Sequence, residues 1–305
     1  IERKVKIIAD EYADPEKGSG AVKITPAHDF NDFYVGKRNN LEFINIFDKY
    51  AKLNDQVPNR FKGLDRFKAR KKILEELKSL GLLVKEEKQM MVIPYGDRSG
   101  VIIEPWLTDQ WFCDAKKLSI EPTKAVKNGK TKFIPAQWEK TFFNWIENIE
   151  PWCISRQLWW GHQIPVWYGP DNKHFVALTE EEANNQAIKF YGKSVKLTQD
   201  EDVLDTWFSS ALWTFSTLDW PKDSYELERF YPGNVLVTGF DIIFFWVARM
   251  MMMGSFFMKE TPFREIYIHP LIRDEFGQKM SKSKGNIIDP LDLLDKYGAD
   301  TLRFT

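Results

Sequence analysis

The stretch Asn234-Val-Leu-Val-Thr-Gly239, continuing as Phe240-Asp-Ile-Ile-Phe-Phe-Trp246 into an apolar run that lasts to Met258, decides the fold. Residues 234–238 read as a short apolar strand closed by Gly239, and Asp241 caps a helix expected to reach Met253. Glu265-Ile-Tyr-Ile-His269 reads as the next strand. A loop follows, then a helix over 290–297 with Asp289 as its cap, Pro290 at its first position and Gly298 just past its end. Strand, helix, strand, loop, helix is the order of a doubly wound parallel sheet. Ligands of such sheets sit at the carboxyl ends of the strands. The turn at Gly239 and the loop after Ile272 are therefore the places to look for chemistry.

Working outward, residues 5–9 and 21–25 read as strands around the Gly18-Ser-Gly20 turn, and Pro26 ends the second by removing a ladder donor. A helix is expected from Asp29 or Asn31 to Arg38, and a charged helix over 59–82 with Gly81 as its C-cap. Residues 92–95 and 100–103 read as short strands, and 115–132 as polar surface. The chain divides by expectation into 1–90, a connecting stretch 91–150, and an α/β half from 151 to 305.

A length of 305 residues suggests about two domains at roughly 150 residues each. With 43% hydrophobic and 15% aromatic residues a sizeable core is available, which excludes wholesale disorder. The net charge of −1 gives no global attraction for nucleic acid, so such a partner has to be met by local basic clusters. Cys113 and Cys153 form no metal-ligand spacing with His28, His162, His174 or His269. No protein-bound metal and no disulfide is expected, only reduced thiols in a cytoplasmic protein. Asp241 and Arg249 interrupt the apolar run at 240–258, which reads as a buried helix and not a membrane span. The opening in mid-pattern at Ile1-Glu-Arg-Lys and the end at Leu302-Arg-Phe-Thr305 suggest an internal piece of a longer protein, with a monomer favoured.

The strongest motif is Gln278-Lys-Met-Ser-Lys-Ser-Lys-Gly-Asn286, in which ammonium and hydroxyl donors alternate before a glycine. A loop of this kind can surround a polyphosphate, each charged hydrogen bond contributing ~1.5–3 kcal/mol. Lys279-Met-Ser-Lys-Ser283 resembles the signature loop of the class I aminoacyl-tRNA synthetases. The resemblance implies ATP, carried with Mg2+ as a substrate, with Lys279 and Lys282 stabilising departing pyrophosphate and Ser281 on the nucleotide. It further implies that Gly239, Asp241 and His269 lie near the adenosine. The nucleophile is an amino-acid carboxylate, already ionised with a pKa of about 3.3–3.7, so no general base is required.

Two further phrases, Trp152-Cys-Ile-Ser-Arg-Gln-Leu-Trp-Trp-Gly-His-Gln-Ile-Pro165 and Asp202-Val-Leu-Asp-Thr-Trp-Phe-Ser-Ser210, resemble the valine and isoleucine branches of that family, and the valine branch more closely. By that resemblance Trp160, with Trp159 as its competitor, and Trp207 wall an amino-acid pocket that Val203 also touches. Gly18-Ser-Gly-Ala-Val-Lys-Ile-Thr-Pro-Ala-His-Asp-Phe-Asn-Asp32 resembles part of the editing domain inserted in these enzymes. Asp29 and Asp32 would hold an aminoacyl ammonium there and Lys23 the ligand or the RNA end. The implied whole is the second half of a Rossmann-like catalytic domain plus the last part of a mixed α/β editing domain. Valine, ATP and tRNA(Val) are the implied partners. No His-Ile-Gly-His motif occurs, so the chain by itself is expected to be inactive. A non-enzymatic nucleic-acid or carbohydrate binder using its Trp and Lys surfaces is the reading of a different class, and an isoleucine enzyme the one within the family.

Overall fold

The structure is a computed structural model that describes residues 3–88, 90–96, 99–281 and 285–304. It divides into two compact units, residues 1–109 and 110–305. The expected connecting stretch 91–150 is therefore split between them.

In the first unit, α1 (Phe30–Arg38) and α2 (Arg66–Ser79) are joined by loops packed on Leu53, Phe61 and Ala69. Asp29, one of the two caps the sequence offers, caps α1 by accepting from the N–H groups of Asn31 and Asp32. Past α2, Gly81 takes φ +69° and Leu82 N–H donates back to Leu77 C=O at 2.9 Å, closing the helix in a Schellman turn. The strands expected at 5–9 and 21–25 do not form: both segments lack ladder partners and regular secondary structure. They instead line a cavity of ≈ 840 Å³, with exposed Ile7 and Val22 showing that their apolar faces find no second sheet within this unit. The stretches at 92–95 and 100–103 reduce to an antiparallel bridge between Tyr95 and Ile102.

His28 ties this unit together. Its Nδ1 lies 3.2 Å from Pro105 C=O and its Nε2 accepts from Ile46 N–H at 3.0 Å, so the ring is neutral with the proton on Nδ1.

The second unit opens with β1 (Phe112–Cys113), α3 (Ala115–Leu118), α4 (Ile120–Lys127), β2 (Lys132–Ile134) and α5 (Gln137–Glu147). The expected polar surface at 115–132 is thus helical, and it buries Ala115, Ala125 and Val126. Short antiparallel pieces follow: β3 (Trp152–Cys153) on β1, and β4 (Ser155–Arg156) on β8 (Val203–Leu204). Between those two lies a small sheet of β5 (Val166–Tyr168) flanked by β6 (His174–Val176) and β7 (Thr198–Gln199), with α6 (Glu180–Tyr191) in its connection. The expected strand–helix alternation from 151 therefore begins only after α7 (Thr206–Ser216) and α8 (Tyr225–Phe230).

From there the order of elements holds, with one correction: Asp241 does not cap the helix, whose N-cap residue is Gly239 without a side-chain cap bond, because the Asp241 carboxylate is turned to Lys279. β9 (Gly233–Gly239) is followed by one continuous helical stretch, 3-10 over Phe240–Ile242, π over Ile243–Ala248 and α9 over Arg249–Phe257, then by β10 (Phe263–His269). β10 lies between β9 and β2, parallel to both, so the third strand of the parallel sheet comes from residues before 151. Ile266 at the centre is fully buried, and the helical stretch lays Ile243, Val247 and Met250–Met252 on the same core. Its length and composition alone would let it cross a membrane, but half of it is buried in protein. α10 (Pro290–Tyr297) keeps the foreseen Asp289 cap and Gly298 terminus, and α11 (Ala299–Phe304) follows.

Burial holds the His28 pKa below its ordinary value, so the folded unit disfavours the charged ring. The unfolded chain then binds a proton before the folded one does. Stability should therefore be full above the unfolded pKa of about 6.5 and fall as pH drops from there through the lower folded value. Urea midpoints of the chain taken from pH 7.5 to 5 should fall, and His28→Gln should flatten that dependence.

Candidate active site

The parallel register of β9 on β10 sets Gly239 directly opposite His269. Two residues predicted to serve one nucleotide are thereby neighbours at the carboxyl edge of the sheet. A Cβ placed on Gly239 would lie 2.8 Å from Asp241 Oδ1 and 3.2 Å from Leu271 Cδ2, so only glycine leaves that edge open. His269 Nδ1 is 2.8 Å from Pro270 C=O, which turns the ring at the strand end. Asp241 sits in the first turn of the helical stretch, where a carboxylate is favoured by the helix dipole.

Lys279 reaches this edge. Its Nζ donates to Asp241 Oδ2 at 2.9 Å across 38 residues of sequence. The lysine side chain is 67% exposed and the aspartate 31%, so the pair is a solvated contact between loop and sheet edge. Two residues that the sequence reading left without a role keep the loop in place. Asp274 Oδ1 accepts from the N–H groups of Phe276 and Gln278, closing a tight turn with Gly277 at φ +74°. Asn286 donates to Asp274 Oδ2 at 2.8 Å and to Lys279 C=O at 3.3 Å, and its Oδ1 accepts from Ser281 N–H at 2.9 Å. The Asp-x-x-Gly spacing at 274–277 was the signal that could have found the turn; nothing local marks Asn286 as a staple. Lys282 lies outside the described residues.

Trp207, Val203 and Trp160 are arranged less evenly. Val203 is buried on β8, and a Cβ on Gly161 would stand 3.0 Å from its side chain, so Gly161 is what lets the 158–161 loop lie against it. Trp159 and Trp160 are 94% and 85% exposed, and the competition between them stays open. Trp207 stacks on Phe245 at 5.7 Å between ring centroids and borders a shallow recess of ≈ 400 Å³ that also touches Trp213, Ile242 and Trp246. Trp213 and Trp246 are aromatic wall residues to which the sequence analysis gave no role.

Behind this wall lies a charged centre that the sequence did not announce. The Asp205 side chain is 7% exposed, and its Oδ2 accepts from Trp152 Nε1 at 2.9 Å. It also faces Arg156 Nη2 at 3.4 Å and Arg249 Nη1 at 3.5 Å. Asp205 is the N-cap residue of α7, yet its side chain makes no cap hydrogen bond. The helix forgoes a contact ordinarily worth about 1 kcal/mol so that the carboxylate can point inward. Arg249 is buried with its guanidinium 4.2 Å from the Trp152 ring centroid, and burial lowers its pKa to about 10 against the opposing pull of Asp205.

In the first unit, Lys23 Nζ donates to Thr25 Oγ1 at 2.9 Å, and Asp32 Oδ2 accepts from both Thr25 N–H and Thr25 Oγ1, at 2.6 and 3.1 Å. Lys23, Thr25 and His28 line the ≈ 840 Å³ cavity, whereas Asp29 and Asp32 are not among its lining. The two carboxylates do not present one shared helix face: Asp29 stands outside α1 with extended backbone, exposed, and Asp32 is buried in the first turn. Among the described residues, no group of three or more His, Cys, Asp and Glu side chains could hold a metal ion.

The family model for "tRNA synthetases class I (I, L, M and V)" matches residues 8–305. The chain belongs to the class I tRNA synthetases. It is 64% identical over its whole length to a valine–tRNA ligase of Pelagibacter ubique and 62% identical to that of Caulobacter vibrioides. It spans 35% and 34% of those two proteins, about a third of the length of the curated relatives it matches. Among solved structures, Mycobacterium tuberculosis methionyl-tRNA synthetase in complex with methionyl-adenylate aligns over 90% of this chain and 49% of its own. That alignment has 19% identity and a TM-score of 0.47.

The two charged contacts of this synthetase segment should respond to truncation with very different magnitudes. Lys279→Ala removes one partner of an exposed pair and should shift the unfolding free energy by less than about 1 kcal/mol. Asp205→Ala leaves Arg249 buried without its counter-charge and should cost about 3–5 kcal/mol. Urea denaturation of the two variants beside the parent chain makes the comparison.

Proposed function

We propose that this chain supplies the second half of the catalytic domain of a valine–tRNA ligase, together with the last part of its editing domain. The reaction joins a valine carboxylate oxygen to the α-phosphorus of ATP, expels pyrophosphate, and then transfers the valyl group to tRNA(Val). The observation that carries this reading is the meeting of Lys279 with Asp241 beside Gly239 and His269. It places a cationic loop and a carboxylate at one sheet edge, the location where a doubly wound α/β domain receives a nucleotide. The high identity with bacterial valine–tRNA ligases supports the choice of amino acid and a cytoplasmic location.

In this reading Gly239, Asp241 and His269 receive the adenosine, and Lys279, Ser281 and Lys282 receive the phosphates of ATP, which enters with Mg2+. Positioning and charge stabilisation suffice, because the attacking carboxylate is ionised at neutral pH. ATP phosphates would compete with Asp241 for the Lys279 ammonium, and the weak, solvated pairing lets the loop change partners at small cost. Trp207, Val203 and Trp160 form the valine pocket. An apolar pocket rejects threonine by only about 100-fold, valine against threonine being the standard illustration of that limit, so a hydrolytic second site is needed. We assign residues 1–90 to that editing site and 91–150 to the return, which already contributes β2 to the parallel sheet, and 151–305 to the rest of the catalytic half. Lys23 contacts the ligand or the RNA end. Of the two carboxylates, exposed Asp29 is the one free to meet an aminoacyl ammonium, while Asp32 supports the site from behind by ordering Thr25 at the cavity wall.

Valine-dependent ATP–pyrophosphate exchange tests this directly. The full-length protein should exchange with valine and far less with isoleucine. Lys279→Ala should lower kcat by 100-fold or so while leaving the KM for valine nearly unchanged, the pattern of a group that acts mainly in the transition state. The 305-residue chain alone should show no exchange. Isoleucine as the preferred substrate, or full activity of Lys279→Ala, would refute the assignment.

A further inference from the structure

The Asp205–Arg249 centre has no part in the reaction as proposed, yet it grips the Trp207 wall from two directions. Asp205 precedes Trp207 by two residues at the start of α7, and its carboxylate is turned away from the cap position into the protein. That carboxylate is fixed by Trp152 Nε1 and by two arginines, Arg156 and Arg249. From the other direction, Trp207 stacks on Phe245 with ring planes 29° apart, and the Phe245 centroid stands 5.4 Å from the Arg249 guanidinium. Phe244 approaches the same guanidinium at 5.6 Å. Both phenylalanines lie in the π-helical turn Ile243–Ala248, which runs directly into Arg249.

We propose that Arg249 and Asp205 are positioning residues of the amino-acid site, and that their buried contact sets the depth of the pocket by fixing both the backbone and the ring of Trp207. Arg249 holds the backbone through Asp205 and the ring through Phe245. Neither residue touches the substrate. Guanidinium geometry matters here: a planar group can lie over Trp152 while its edge faces a carboxylate, which an ammonium cannot do equally well. The inference rests on valine activation as proposed above and adds to it the residues that determine how the wall is held.

The test is steady-state ATP–pyrophosphate exchange in the full-length protein, comparing Arg249→Met, Arg249→Lys and Asp205→Asn with the parent. A loosened wall should raise the KM for valine by about 10-fold or more while the KM for ATP moves less than about 2-fold. The preference for valine over isoleucine should fall several-fold, since one methylene is worth about 10–200-fold in a rigid pocket. Arg249→Lys, which keeps the charge, should recover part of the valine KM. Asp205→Asn carries the same test if Arg249→Met is recovered unfolded, because it keeps an acceptor for Trp152 Nε1 and removes only the charge. An unchanged KM for valine in folded variants overturns the proposal. So does an equal rise in both KM values accompanied by a lower Tm, the signature of a merely structural role. If the parent protein shows no valine-dependent exchange, the valine assignment itself fails, and the positioning role fails with it.

Discussion

The parallel pairing of β9 with β10 is the constraint on which the second unit depends. Once Gly239 stands opposite His269, the two loops that leave the sheet at that edge are bound to start side by side. Everything downstream of β10 can then be long, polar and exposed, because its origin is already fixed by main-chain hydrogen bonds and by a fully buried Ile266 beneath. The Asp274 turn and the Asn286 staple have only to return Lys279 across a short distance. A functional loop built this way keeps its reach without needing to be packed.

The two carboxylates of the unit divide the electrostatic labour according to solvent. Asp241 meets Lys279 in water, where a charge pair contributes little and exchanges readily. Asp205 meets Arg249 out of water, where neither charge can be left alone and the geometry is correspondingly fixed. Under the proposed function, the first arrangement suits a group that exchanges partners with an arriving polyphosphate. The second suits a scaffold that must not yield when an apolar side chain presses against it.

How much of this was legible in the sequence follows from range. β9, β10, α10 with its Asp289 cap and the Gly298 terminus were readable because their signals are local: an apolar run, a capping side chain, a glycine past the end. The segments at 5–9 and 21–25 carry the same local signal but have no partner strands in their unit, so propensity alone produced no sheet there. β2 was missed as a member of the parallel sheet because its partner in the ladder lies more than a hundred residues later. In the site, Gly239, Asp241, His269 and Lys279 were found through the motif, and the structure brings these four together. Asp205 and Arg249 were invisible: an aspartate before a helix reads as a cap, and only the fold reveals that it faces the other way.

The helix behind the sheet carries Met250-Met-Met-Met253, four consecutive thioethers that are all buried, with α3, α4 and α7 packed around them. Adjacent residues on a helix point in different directions, so this short sequence fills gaps on every side with the most adaptable apolar side chain available. Oxidation would convert each into a polar sulfoxide incompatible with that site, yet an oxidant can reach them only when the helices separate. Their thioether sulfurs are thus a chemical recorder of how often this interior is breached, a property conferred by composition alone.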